Sequence, residues 1–480
     1  MKNFKRILSV VLCVCLLAST AVSFAGAEDV ATGTTPTRLS VTVNGDTSTS
    51  RGFCWYTAEE TDTKIEIQGV DASAYTVEDV VCEEWEGNWM HKLVVTGLKA
   101  GIPYGFRVGD GTTWSEWGTF VTDNGDDKVS FINIADVQAS DYEGFMKGAD
   151  TLAGAFSKLP GADFVSNCGD FTNDSTNEEW DAYDKAFGAM NSHYTLVPVA
   201  GNHDGLGVEY WFNNMFALDT TESVQVKDGV NYSFDYGNAH FAVLNTNDIL
   251  SISLAQLKWL ENDLNSTDKD WKIVFFHKAP YSLGKDAKWP DALSLQRTLT
   301  NVLDKCNVDF AFYGHDHQYI RTKPITGNKL NEDGTTYVLS GTAGGKRYEI
   351  RPFLENHFLK EDFIDRIVIQ REGVGFESED YIGGCFETVE IDGDTLTLKT
   401  YIVADADGKI TQVDEYVVTK ELGENEITFT GDNTTSEAEY ALGVVPSFLC
   451  LAAYAIANWL PRFFIMLPEL LYSVIEYDVF

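Results

Sequence analysis

Positive charge is what this chain has least of. Its 480 residues carry 35 lysines and arginines against 73 aspartates and glutamates, a formal net charge of −38. Nucleic acid and anionic membrane surfaces are gripped through basic patches, so this balance disfavours binding of either by charge. Solubility in an acidic or salty medium is the plain reading of the excess. Cysteine is sparse as well. Cys13 and Cys15 lie in the N-terminal leader, and Cys54, Cys82, Cys168, Cys306, Cys385 and Cys450 fit no zinc-finger spacing. A chain of this size needs no covalent stapling. Only Cys54 and Cys82, close together in one small region, make a pair to test as a disulfide; buried thiols are the reading for the others. No internal repeat is present.

Charge-poor runs mark the two ends. Lys2, Lys5 and Arg6 precede an apolar stretch, Ile7 to Leu17, and Ala25-Gly26-Ala27 offers a small-residue cleavage site. Residues 1–27 therefore read as an export signal, and the run is short for an uncleaved anchor. Secretion is the expected destination. Residues 421–480 form a linker and a hydrophobic tail. No charged residue occurs from Tyr440 through Pro461. The stretch 440–475 is long enough for membrane association, and a terminal helix pair docking on protein is the alternative.

Residues 36–123 are strand-like throughout, with short runs separated by Asn44-Gly45-Asp46, Gly97 and Gly109-Asp110-Gly111. That spacing predicts a β-sandwich. Trp55, Tyr56, Trp114 and Trp117 are its expected aromatic core. Residues 123–127 read as a linker. Over 128–420 strands alternate with helices, which predicts an α/β domain. Helices are expected over 144–158, 178–191, 253–265 and 292–306.

Polar motifs follow one predicted strand after another. Asp136-Val137-Gln138 follows the first, Gly169-Asp170 the second and Gly201-Asn202-His203-Asp204 the third. His277 ends a fourth, and Gly314-His315-Asp316-His317 follows a fifth, with Gly314 supplying the freedom to turn. Ligand sites in α/β folds gather beyond the carboxyl ends of strands. Imidazole is the commonest ligand for transition metals, and two of only eight histidines stand here one residue apart.

This motif series resembles the metallophosphoesterase superfamily, and more narrowly the purple acid phosphatase family. Supporting residues are the sandwich ahead of the motifs, His277-Lys278-Ala279-Pro280-Tyr281, the run from Gly314 to Thr322, and Gly344-Gly345. The resemblance covers about Thr37 to Lys420. It implies a multidomain chain: an all-β, fibronectin III-like sandwich, then an α/β metallophosphoesterase domain of two packed mixed sheets flanked by helices. It implies a two-metal site holding Fe, Zn or Mn. Asp170 would bridge both ions, Asp136 and His317 would hold the first, and Asn202, His277 and His315 the second. A small phosphorylated substrate would be hydrolysed by a metal-bound hydroxide, a monoester first and a diester or nucleotide as the alternative. His203 would act on the leaving oxygen, with Asp204 orienting its ring. A non-catalytic surface-binding role is the third reading.

Two positions depart from the family pattern. Asn173 stands where a tyrosine gives the purple iron its colour, so a colourless or weakly coloured protein without strong Fe(III) preference is expected. Gln138 stands where the wider superfamily often has histidine; it is either a ligand to the first ion or a hydrogen-bonding neighbour. His240 reads as a structural strand residue. His91, His193 and His357 carry no assigned role.

Overall fold

The computed structural model describes residues 33–205, 211–224, 230–247, 251–284, 287, 290–348, 359–368, 370 and 382–420. The leader, the tail from 421, Cys450 and His357 lie outside the described residues. Among the described residues no helix is long and apolar enough to cross a membrane.

Seven strands build the N-terminal region: β1 (Thr37–Thr42), β2 (Arg51–Thr57), β3 (Lys64–Ile67), β4 (Thr76–Trp85), β5 (Asn88–Thr96), β6 (Pro103–Gly109) and β7 (Gly118–Val121). They form two layers, β1-β2-β5-β4 and β3-β6-β7. Alternation along β2 explains why it is buried on both faces. Phe53 and Trp55 turn into the sandwich core with Leu93, Phe106 and Phe120, whereas Cys54 and Tyr56 turn toward the α/β region. Trp114 and Trp117 do not join this core. They lie half-buried against the Arg107 guanidinium, 4.7 and 4.8 Å from its carbon, because a cation gains from two aromatic faces at the surface. Strand β4 is acidic and mostly exposed, and its register shifts at Asp79, which has a φ of 49°. A charged, bulged edge resists pairing with another chain.

The α/β region adds β8 (Lys128–Ile134), β9 (Phe164–Asn167), β10 (Leu196–Pro198), β11 (Tyr232–Tyr236), β12 (Ala239–Val243), β13 (Trp271–Phe275), β14 (Phe310–Tyr313) and β15 (Tyr319–Thr322). A small hairpin, β16 (Ile325–Thr326) and β17 (Lys329–Leu330), precedes β18 (Thr336–Ser340) and β19 (Ile364–Val368). The described strands end with β20 (Gly383–Asp392), β21 (Thr395–Ala404) and β22 (Ile410–Thr419). One sheet runs β22-β21-β20-β8-β9-β10 and then continues through β1 into the sandwich; the other runs β11-β12-β13-β14-β18-β15-β19. The join is a parallel pairing of Thr42 with Leu196. Residues 123–127 are therefore not a loose tether: Asp123 is buried and accepts the Gly237 N–H at 3.0 Å.

The two sheets share one core. Phe131 of β8 meets Phe241, Phe275 and Phe312 of the second sheet edge-on, with centroids 5.8, 5.7 and 5.9 Å away. Helices Tyr142–Lys158 and Asn177–Asn191 cover the outer face of the first sheet, and Leu254–Ser266 covers the second. Asp141, Thr176 and Ser253 cap their N-termini through side-chain oxygens. The single helix expected over 292–306 is two, Pro290–Arg297 and Leu299–Lys305. Thr298 interrupts it, its hydroxyl bonding back to the Ser294 carbonyl at 2.7 Å.

Cys54 and Cys82 are both free thiols. Cys54 Sγ reaches the Asn214 carbonyl and Cys82 Sγ the Thr61 carbonyl, so the side chains serve separate contacts.

Candidate metal centre

Strands β8, β9 and β10 of one sheet and β13 and β14 of the other run parallel within their sheets. The loops at their carboxyl ends bring the motif residues to one place. Asp170 Oδ1 lies 3.3 Å from His277 Nε2, and Asp136 Oδ1 lies 3.5 Å from His317 Nε2. Asn202 Oδ1 lies 3.0 Å from His277 Nε2. Ligand atoms of Asp170, His277 and His315 fall within 4.8 Å of one another, and so do those of Asp136, Asp170 and His317. Asp170 belongs to both groups.

The backbone is bent to achieve this. Asp136, Gln138, Asp170, His315 and His317 have φ of 53°, 31°, 57°, 82° and 49°. Such conformations cost non-glycine residues about 1–3 kcal/mol each and persist where the surroundings enforce them. Gly314 does not supply the turn. Its role is close approach: a Cβ there would stand 2.5 Å from Asp136 Oδ2. The His315 N–H donates to both Asp136 oxygens, at 3.0 and 2.9 Å, which locks the two loops together.

Ring tautomers follow from the outer contacts. His277 Nδ1 donates to the Cys168 carbonyl at 2.8 Å, and His317 Nδ1 donates to the Lys346 carbonyl. In a neutral ring each Nε2 then carries a lone pair. Those lone pairs face carboxylate and amide oxygens, an arrangement that is repulsive unless a cation stands between them. His317 Nε2 is buried and has no hydrogen-bond partner, and neither amide atom of Gln138 has one. The donor set therefore fits bound metal, and the Gln138 carbonyl oxygen is a further available donor. A proton is the only other cation small enough. Burial disfavours a charged His277, but the Asp170 carboxylate outweighs it and lifts the imidazole to about 9. Burial also works against the charge on Asp170, yet His277 prevails and holds that carboxyl well below the usual range. Burial and then His277 push His315 well below an ordinary histidine.

His203 sits at the mouth, half-buried. Its N–H donates to Asp170 Oδ1 at 2.9 Å, and its Nδ1 donates to the Asn173 carbonyl. Asp204 does not orient that ring. Its oxygens accept the N–H groups of Asp170, Phe171 and Gly201 at 2.8, 2.7 and 2.8 Å, underneath the Asp170 turn. A fully buried carboxylate binds the nearest unpaired backbone donors, and here those belong to the loop. Burial, followed by the Asp170 charge, pushes Asp204 up to about 7. Three further groups, none of them assigned a role from the sequence, support the site. Thr342 donates to the Asp136 carbonyl at 2.7 Å, Asn247 donates to the Ala200 and Gly201 carbonyls at 3.2 and 3.0 Å, and the Tyr348 ring stacks on His317 at 4.1 Å. The run Tyr337 to Thr342 and the pair Gly344-Gly345 mark the stretch that carries two of them in the sequence.

His240, His91 and His193 lie elsewhere. His240 is bound by Asp235 and Asp263, His91 by Thr57 and Thr63, and His193 by Thr119.

Residues 129–319 match the calcineurin-like phosphoesterase family, and residues 32–122 match the purple acid phosphatase N-terminal domain. The chain is 22% identical over 281 residues to purple acid phosphatase 22 of Arabidopsis thaliana, covering 54% of this chain and 59% of that protein. It is 25% identical over 277 residues to probable inactive purple acid phosphatase 24 of the same plant, covering 49% and 45%. Thus it covers less than two thirds of either relative. A purple acid phosphatase from yellow lupin (Lupinus luteus) seeds shares the fold with a TM-score of 0.62, at 17% identity, over 80% of this chain and 74% of that one.

Proposed function

Since the chain carries a calcineurin-like phosphoesterase domain behind a purple acid phosphatase N-terminal domain, we propose that it is a secreted, dinuclear-metal phosphatase acting on phosphate monoesters. The observation that carries this reading is Asp170, one carboxylate common to two convergent ligand groups. Its two oxygens suit cations about 3.5–4 Å apart, the spacing of two-metal sites. Asp136, Asp170 and His317, with Gln138, would hold the first ion. Asp170, Asn202, His277 and His315 would hold the second. Mixed nitrogen and oxygen donors favour Fe, Zn or Mn. Once bound, the ions would neutralise charge on phosphoryl oxygens and acidify a water at the site.

The protein's own part is positioning and proton transfer. His203 is fixed at Nδ1 by the Asn173 carbonyl. Nε2 is the nitrogen left to exchange a proton with the leaving oxygen. Asp204 acts through the backbone, bracing the turn that carries Asp170. The sandwich supports the site by sheet continuity, with residues 36–123 and 128–420 as the two units.

Metal analysis of purified protein tests this, alongside turnover of nitrophenyl phosphate and its bis-ester. Close to two ions per chain and faster monoester turnover support the reading. Faster bis-ester turnover moves the protein to the diesterases. Far less than two ions with no turnover of either ester leaves a non-catalytic scaffold. Export is tested separately: protein in the medium should begin at Glu28 if residues 1–27 are a cleaved signal.

A further inference from the structure

Past β18 the chain folds back against the metal loops through a glycine-rich turn. Gly344 passes so close that a Cβ would stand 2.0 Å from the Val137 carbonyl oxygen. Two residues later comes Lys346. Its carbonyl accepts from His317 Nδ1, on the first-ion side. Its Nζ reaches Asn173 Oδ1 at 3.5 Å, and the Asn173 carbonyl is the one that fixes His203. Lys346 therefore spans the mouth of the site, from behind a metal-ligand candidate to the loop holding the proposed proton donor. Tyr348 narrows the same edge, stacked on His317 with Lys346 Nζ 5.8 Å from its ring centre. Two neighbouring bases pair with carboxylates. Arg347 makes a two-armed pair with Asp405 at 2.9 Å, and Lys278 lies 3.1 Å from Asp291.

Charge balance gives this placement a meaning. The resemblance to purple acid phosphatases implies a tyrosine at 173, an anionic ligand once metal binds. This chain has a neutral asparagine there and an ammonium beside it. The candidate donors supply two carboxylates, Asp136 and Asp170, and the rest are neutral; outside the donor set, Asp174 accepts from the Asn173 amide at 2.9 Å and offsets one further positive charge. A pocket with two divalent cations, two carboxylates and a lysine keeps an excess of positive charge. A doubly charged phosphate monoester offsets that excess better than a singly charged diester does.

We propose that Lys346 is a substrate-binding residue that selects dianionic phosphate monoesters, its ammonium contacting a phosphoryl oxygen on the first-ion side. The proposal rests on the phosphoesterase reading above and names the substrate charge that the site takes. Lys346 holds His317 through its backbone, so side-chain replacement leaves that bond available.

The experiment uses the metal-loaded full chain as wild type, Lys346→Ala and Lys346→Arg. It reads KM and kcat for nitrophenyl phosphate and its bis-ester, inorganic phosphate binding by calorimetry, and metal content. A lost charge-assisted hydrogen bond should raise the monoester KM and weaken phosphate binding by about 10- to 100-fold in Lys346→Ala. The bis-ester should lose no more than about threefold in kcat/KM, metal content should stay level, and Lys346→Arg should recover most phosphate affinity. Equal losses on both esters, unchanged phosphate binding, or loss of metal in Lys346→Ala each overturn the proposal. The two readings fail separately. A wild type that turns over neither ester, yet binds phosphate about tenfold more tightly than Lys346→Ala, sinks the phosphatase reading and leaves Lys346 as an anion-binding group. An active wild type matched by Lys346→Ala in every readout sinks Lys346 alone. A wild type with neither turnover nor phosphate binding sinks both.

Discussion

Two kinds of histidine stand on neighbouring strands of the same sheet and the loops beyond them. His240, within β12, has both ring nitrogens paired, Nδ1 with Asp235 at 2.7 Å and Nε2 with Asp263 at 2.9 Å. Its backbone is ordinary extended strand. His277 and His317 lie past the ends of β13 and β14. Each has one nitrogen satisfied by a carbonyl and the other aimed at oxygens. Burial does not separate them, since all three are buried. What separates them is whether the donors and acceptors close without an added cation. The strand histidine is complete; the loop histidines are complete only when something positive fills the gap. Backbone strain marks part of the same boundary: His315, His317, Asp136 and Asp170 hold positive φ, whereas His277 does not.

The sharpest way to break this contrast is to remove the shared carboxylate. Asp170→Asn keeps the shape and loses the charge that both ligand groups use. Metal content should fall below one ion per chain, and phosphate-ester turnover should drop by more than about 10³-fold. Retained metal would mean that the remaining donors hold the ions without the shared carboxylate. His203→Ala comes next. It removes a group at the mouth, not in the floor, so kcat should fall by about 10²–10⁴ while metal content stays level. Unchanged turnover would remove His203 from the chemistry.

The strand ends were legible because each carries its polar residues directly after an apolar run. Asp136 after Ile132-Asn133-Ile134 and His315 after Phe310 to Tyr313 need only strand alternation and the carboxyl-end rule to be placed together. Asp204 takes a different place from the one the resemblance implied: the turn sends its carboxylate down to three backbone N–H groups instead of to the His203 ring. The contacts of Lys346 and Tyr348 were not legible, since their partners lie some 30 to 170 positions away and no period or spacing encodes such contacts. Trp114 and Trp117 were misplaced because aromatic content says nothing of a nearby arginine. The sandwich looked separable because its sequence is all strand, whereas one parallel pairing, Thr42 with Leu196, merges it with the α/β sheet.

A smaller effect tests how far the contrast extends beyond the ligands. Thr342 Oγ1 donates to the Asp136 carbonyl and accepts the Gly344 N–H at 3.1 Å. It touches no proposed ion but holds a strained loop in place. Thr342→Val keeps the volume and removes both bonds. First-ion affinity should weaken by about 10- to 100-fold, the usual range for residues that orient ligands. Competition with a chelator measures it, and an unchanged affinity would show that the Asp136 loop is held without Thr342.

The completed histidine should reveal itself through stability alone. Burial opposes its charge, but the hydrogen bonds to Asp235 and Asp263 outweigh that and lift His240 to about 9, above the ordinary histidine value of 6.5. A folded-state value above the unfolded one favours the folded protein while the ring is protonated. The contribution is therefore full below about pH 6.5 and fades as pH rises through about 9. Its ceiling is about 3 kcal/mol at 1.36 kcal/mol per unit, and about 2 kcal/mol is the better expectation because the Asp235 side chain is half exposed. Other groups titrate over this range too, so the informative quantity is a difference. Chemical denaturation of wild type and His240→Phe at pH 6 and pH 9.5 should show a gap of about 2 kcal/mol that closes at the higher pH. A gap that is the same at both values would mean that His240 folds uncharged. The comparison would then rest on hydrogen-bond closure without ionisation. Ester turnover of His240→Phe at pH 6, with its metal content measured, should match wild type, since neither of the ring's partners touches a ligand.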